Sequence, residues 1–173
     1  MRTIQFATLF IITILTAITC EAKTSIVDAV GCYERMLAEA KNGASLSSMV
    51  ENYIAVESLA SRAIFYQKKL LWKNLTSEER EPYINAILAY FATEADKVNR
   101  GVGQKDYVVL DTVKLDNNKH KQVGNGYQLA GTYNTQGGEH ENFALYIVQV
   151  SGRCYIHDAR WRDAWLSRFV NIP

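Results

Sequence analysis

The feature that most constrains this chain is a change of hydrophobic period near Lys105. Upstream of it, apolar residues recur every three or four positions; downstream they recur every second one. Ser25 and Asp28 are spaced as a capping box ahead of a stripe of Ile26, Val30, Tyr33, Leu37 and Ala40, and Asn42-Gly43 supplies a stop. A second helical stretch starts near Ser45 with Leu46, Met49, Val50 and Tyr53. It continues, with a bend, through Leu59, Ala63, Tyr66 and Leu70 to Trp72. Thr76 with Glu79 three residues later starts a third helix, with Pro82 expected in its first turn, where a missing N–H costs least. Its face is Ile84, Ile87, Leu88, Phe91, Ala95 and Val98, and Gly101 and Gly103 end it.

Beyond Lys105 the alternation predicts four strands, near 107–110, 127–133, 143–150 and 154–159. The turns between them fall at Asp116-Asn117-Asn118, Gln136-Gly137-Gly138 and Ser151-Gly152. Short turns between successive strands imply an antiparallel meander, and Trp165, Leu166 and Phe169 mark a short closing helix. Helices followed by strands read as an α+β fold, with N-terminal helices packed on a four-stranded antiparallel sheet.

Residues 1–22 stand apart. Arg2 precedes an apolar run from Phe6 to Ile18, and Cys20-Glu21-Ala22 offers a small-x-small cleavage site. The run is shorter than the roughly 20 residues a membrane span needs. The segment is expected to be a signal peptide, exporting a mature chain of residues 23–173. Lipidation at Cys20 is the less favoured alternative, because Ile18-Thr19 stands where a Gly or Ala is expected before the Cys. Removal of Cys20 leaves Cys32 and Cys154, an even count that favours a disulfide in an oxidising compartment. Two buried thiols that never meet are the other possibility. Joined, they would close a long loop worth roughly 4–5 kcal/mol by chain entropy.

Candidate chemistry is sparse. Nineteen basic and 18 acidic residues leave a net charge of +1, which argues against a nucleic-acid partner bound through a broad phosphate-neutralising face. His157-Asp158 is a tempting pair, but strand neighbours point to opposite faces. Glu139-His140-Glu141 has the composition of a metal tract, yet it follows a glycine turn, and the chain has only 3 His for a site needing three or four converging ligands. Gly101-Val102-Gly103 follows a helix rather than a strand and lacks the third glycine of a nucleotide fingerprint. No metal and no cofactor is expected. Arg160, Arg162, Asp163 and Arg168 form a charged cluster near the C-terminus, suited to a solvated face or an anionic partner. Above this background stands an abundance of apolar stripes, which can close either a filled core or a lined cavity.

Leu71-Trp72-Lys73-Asn74-Leu75-Thr76-Ser77-Glu78-Glu79-Arg80-Glu81-Pro82-Tyr83, followed by Ile87-Leu88-Ala89-Tyr90, resembles the MlaC family. These proteins are the periplasmic phospholipid-binding components of the toluene-tolerance ABC transport system. Trp72, Thr76, Glu79 and Arg80 stand where that family places an aromatic helix end, a hydroxyl cap and a Gln/Glu-Arg pair. His157-Asp158 stands at its aromatic-Asp pair, with His for the aromatic. The chain departs from the pattern at Lys68-Lys69, where the family has Leu-Gly, and at 159–164, where it has Gly-Val-Ser and a further long helix. The resemblance covers roughly residues 45–166 and implies a divergent, C-terminally short member. It further implies a nuclear-transport-factor-2-like fold, residues 23–173 as one lipid-binding domain, phospholipid as ligand, and a membrane-bound lipid transporter complex as partner.

Periodicity then picks Leu59, Ile64, Leu71, Ile84, Ile87, Leu88, Phe91, Val109, Leu145 and Ile147 as candidate walls of the lipid site. Two other readings compete with the lipid shuttle, which is expected not to be an enzyme. A small isomerase or hydratase would need Asp158 or a Tyr with a strongly shifted pKa inside the pocket. A secreted interaction protein would have a filled core.

Overall fold

The computed structural model of the protein describes residues 23–161 and 164–173. The expected leader with Cys20, and Arg162 and Asp163 of the charged cluster, lie outside these residues. The helical half contains α1 (Ile26–Lys41), α2 (Leu46–Tyr53), α3 (Val56–Lys68) and α4 (Ser77–Asn99). Both expected capping boxes form. The Ser25 hydroxyl accepts from the Asp28 N–H at 3.1 Å, and the Glu79 carboxylate accepts from the Thr76 N–H at 2.8 Å. Pro82 falls in the second turn of α4 rather than the first, so the Glu78 carbonyl has no N–H to receive there.

The second helical stretch does not merely bend; it breaks. Ile54 leaves α2 in an extended conformation, bridges Ile156 as a parallel partner, and Ala55 N–H donates to the Ile156 carbonyl at 3.0 Å. Two residues of β geometry between α2 and α3 therefore pin the helical layer to the sheet. Past α3, Lys69 is left-handed at φ 60°, and a 3₁₀ turn at Trp72–Asn74 leads into α4.

Among the described residues the sheet has six strands, not four: β1 (Val108–Leu115), β2 (Lys121–Val123), β3 (Gly126–Thr135), β4 (His140–Val150), β5 (Arg153–Trp161) and β6 (Ala164–Trp165). All adjacent pairs are antiparallel, in the order β1-β3-β4-β5-β6, with β2 also on β3. The extra strands are short and carry no period. Asp116-Asn117-Asn118 is a 3₁₀ interruption rather than a hairpin, held by Asp116 Oδ1 accepting from Asn118 N–H at 3.1 Å. The chain resumes as β2 on the same edge of β3, and the true hairpin is at Gly124-Asn125, where Gly124 has φ 58°. A four-residue α5 (Leu166–Phe169) follows β6.

Burial divides into two cores. The first joins α1 and α2 to the sheet through Cys32, Tyr33, Tyr53, Leu129, Phe143 and Ile147. The second joins α3, α4 and α5 through Leu59, Ala63, Ile64, Ile87 and Leu166. Cys32 and Cys154 are disulfide-bonded, so α1 is covalently fixed to β5 across 122 positions of sequence.

A candidate apolar ligand cavity

Between α1, α2 and the sheet lies a cavity of about 320 Å³. Its helical side comes from Tyr33, Met36 and Leu37 of α1, Leu46, Met49 and Val50 of α2, and Phe91 of α4. Its sheet side comes from Val108, Leu110 and Val113, from Tyr133, Phe143 and Leu145, and from Ile156, Ala159 and Trp161. Among the described residues, no lining side chain bears a formal charge. A Cβ at Gly131 would collide with the Lys114 carbonyl and the Phe143 ring, so glycine there lets the Phe143 ring settle onto β3. A second hollow of about 300 Å³ shares Leu46, Phe91 and Trp161 with the first and extends to Tyr90, Glu94 and Leu166. Together they double the available room. Trp161, 38% exposed, sits where both reach the surface.

Three tyrosines, Tyr33, Tyr53 and Tyr133, line the cavity, and the first two have strongly shifted phenols. Burial, with the Glu34 carboxylate second, pushes the Tyr33 phenol up to about 12, and its hydroxyl is buried without a hydrogen-bond partner among the described residues. Burial also pushes Tyr53 up to about 12, aided by its 2.7 Å hydrogen bond to Glu39. Both shifts run upward, so both phenols stay neutral at physiological pH. They can donate a hydrogen bond, but neither is poised to act as a base.

Of the ten wall candidates, the structure brings Phe91 and Leu145 to the cavity. Leu59, Ile64 and Ile87 are buried in the helix–helix core, with Ile84 packed against it. α4 packs on α3 and α2, and among its described residues only Phe91, one turn beyond Ile87, reaches the cavity. Leu88 points away and is 44% exposed. Leu71 lies on a surface groove with Phe65 and Tyr66. Val109 sits between the lining residues Val108 and Leu110, hence on the other face of β1. Ile147 belongs to the first core. Sequence reading missed α1, which contributes the stripe residues Tyr33, Leu37 and Ala40, and it missed Trp161.

His157 and Asp158 depart from simple alternation. Tyr146 pairs with Asp158 and Ile147 with Ile156, which leaves His157 as the extra residue of a β-bulge. Both side chains consequently meet α3, on residues one turn apart. Ser58 Oγ lies 2.6 Å from His157 Nδ1, and Arg62 Nε donates to Asp158 Oδ2 at 2.9 Å. Asp158, 1% exposed, also accepts from the Ser167 hydroxyl at 2.6 Å and from the Ala159 and Ser167 N–H groups. It does not line the cavity, and its carboxylate ties β5, α3 and α5 together. The same bulge restores Ala159 and Trp161 to the cavity face after Ile156.

The remaining polar candidates disperse. His140 Nδ1 pairs with Asn134 Oδ1 at 2.8 Å at the exposed end of the β3–β4 pair, and no group of three His, Cys, Asp or Glu able to hold a metal occurs among the described residues. Gly101 and Gly103 take positive φ at the end of α4. Arg160 stacks toward Trp165 at 5.9 Å and Arg168 toward Tyr66 at 5.0 Å.

Helices over one sheet face, with a cavity between them, make an α+β architecture. The solved structure of the phospholipid-binding protein from Ralstonia solanacearum, in complex with a phospholipid at 1.53 Å resolution, is similar to it. The TM-score is 0.54 at 15% identity, over 84% of this chain and 82% of that one. At that identity the likeness establishes a shared fold. No family model matches the sequence, and no curated protein matches it.

Proposed function

We propose that this protein is an exported lipid carrier that shields the acyl chains of a phospholipid in the cavity between α1, α2 and the sheet. The single observation that carries the reading is a cavity wall of uncharged, largely aliphatic and aromatic side chains where the interaction-protein reading expects a filled core. The likeness to a solved phospholipid complex and the MlaC-like motif around Trp72, Thr76, Glu79 and Arg80 support it. At about 30 Å³ per methylene-sized group, the cavity takes about ten such groups and the adjoining hollow about as many again. Each buried methylene is worth about 0.8 kcal/mol, so binding needs no charged residue on the wall. The headgroup remains in water near Trp161.

On this reading the carrier works in the periplasm and hands its cargo to a membrane-bound ABC-type lipid transporter complex. The test is transfer of a labelled phospholipid between two vesicle populations. The wild-type chain accelerates transfer, and Phe91→Asp, at the junction of both hollows, abolishes it while thermal unfolding stays cooperative. A wild-type chain that moves no phospholipid contradicts the proposal.

A further inference from the structure

We propose that the segment joining α3 to α4 is a docking surface for an anionic membrane. From residue 58 to residue 77 the chain carries Arg62, Lys68, Lys69 and Lys73 and no Asp or Glu. The same stretch leaves Phe65, Leu70 and Leu71 exposed by 48%, 42% and 44%. They are not scattered. With Tyr66 and Trp72 they line one shallow groove of about 270 Å³.

The backbone explains why these apolar side chains are not buried. α3 stops at Lys68, the left-handed Lys69 turns the chain, and Leu70 and Leu71 precede the 3₁₀ turn at Trp72 instead of completing a helical face. Lys69 Nζ donates to the Tyr66 carbonyl at 3.0 Å, and none of the three lysines is ion-paired among the described residues. Further cations back the aromatic rings: Arg168 lies 5.0 Å from the Tyr66 centroid and Arg80 5.2 Å from that of Trp72. The nearest acids in sequence are Glu57 at the start of α3 and Glu78, Glu79 and Glu81 at the start of α4, with Glu79 turned back onto Thr76. Arg62 is committed to Asp158.

Exposed leucines and aromatics beside lysines that make no ion pair among the described residues match the layering of a lipid surface. Aliphatic tips enter the acyl boundary, aromatic rings sit at headgroup level, and ammonium groups meet the phosphates. The patch depends on nothing inside the cavity, so it stands or falls apart from the carrier reading.

The test is co-sedimentation of the exported chain with phosphatidylcholine vesicles, and with vesicles one-third phosphatidylglycerol. The expected result is binding to the anionic vesicles, weakened by high salt. Each lysine near such a surface contributes a factor of about five, so the triple variant Lys68→Glu, Lys69→Glu, Lys73→Glu binds at least roughly a hundredfold more weakly. Leu70→Ser with Leu71→Ser also weakens binding, with unfolding temperature unchanged in both variants because the sites are exposed. Equal binding to neutral vesicles overturns the proposal. So does anionic binding that both variants retain, or self-association through Leu70 and Leu71 with no vesicle binding.

Discussion

Replacing Ala159 by Leu distinguishes a lined cavity from a filled core. Ala159 is 2% exposed and faces the cavity from β5. The substitution adds three carbons, about 90 Å³ at about 30 Å³ per methylene-sized group, against a cavity of about 320 Å³. Since no side chain fills that space, the fold has room for the new atoms, and stability stays level or rises by up to about 2 kcal/mol. The ligand loses the same space. Three displaced methylenes at about 0.8 kcal/mol each correspond to binding about fiftyfold weaker. Ala63→Leu is the control: Ala63 is fully buried in the α3–α4–α5 core and lines neither hollow. Overpacking there costs about 1–3 kcal/mol, at about 2–4 °C of unfolding temperature per kcal/mol. Thermal unfolding and titration with a fluorescent phospholipid analogue measure both quantities. If Ala159→Leu destabilises as much as Ala63→Leu, or leaves lipid affinity unchanged, the reasoning fails.

Other perturbations follow from the same structure. Tyr33, Tyr53 and Tyr90 hold their protons to about 12 in the fold against 10.0 unperturbed, for Tyr90 through burial and then Glu94. Between those values the folded chain binds more protons than the unfolded one, so stability should be full below pH 10 and fall as pH rises towards 12. Urea midpoints across that window, read with tyrosinate absorbance, check the sign. Arg62→Ala strands Asp158 in the protein interior. The expected loss is about 3 kcal/mol, at the low end for a buried pair because the Arg62 side chain is 30% exposed. Asp158→Asn in the same denaturant series should lose less. Replacing Cys32 and Cys154 together by Ser should remove roughly 4–5 kcal/mol, and a double variant that unfolds with the wild type would show the bridge to be unimportant.

Much of this architecture is legible in the chain because local chemistry and tertiary need agree. Ser25-Asp28 and Thr76-Glu79 cap the helices they precede, and the switch of period near Lys105 marks the boundary between helices and sheet. Where the reading falls short, a tertiary contact overrides local pattern. Ile54 and Ala55 suit a continuing helix, yet pairing with Ile156 draws them into β geometry. The bulge at His157 adds one residue that no alternation can reveal, and it decides which face Asp158, Ala159 and Trp161 occupy. The wall was hardest to read. An apolar stripe states that a face is buried but not against what, so Ile87 and Phe91, one turn apart on α4, end in a solid core and at a cavity respectively.

Native mass spectrometry of the chain after export to a bacterial periplasm, followed by organic extraction, tests the central claim most directly. The account predicts adducts of phospholipid mass near one per chain, with the protein two daltons light for its disulfide. A bare chain that stays bare when phospholipid is added contradicts it.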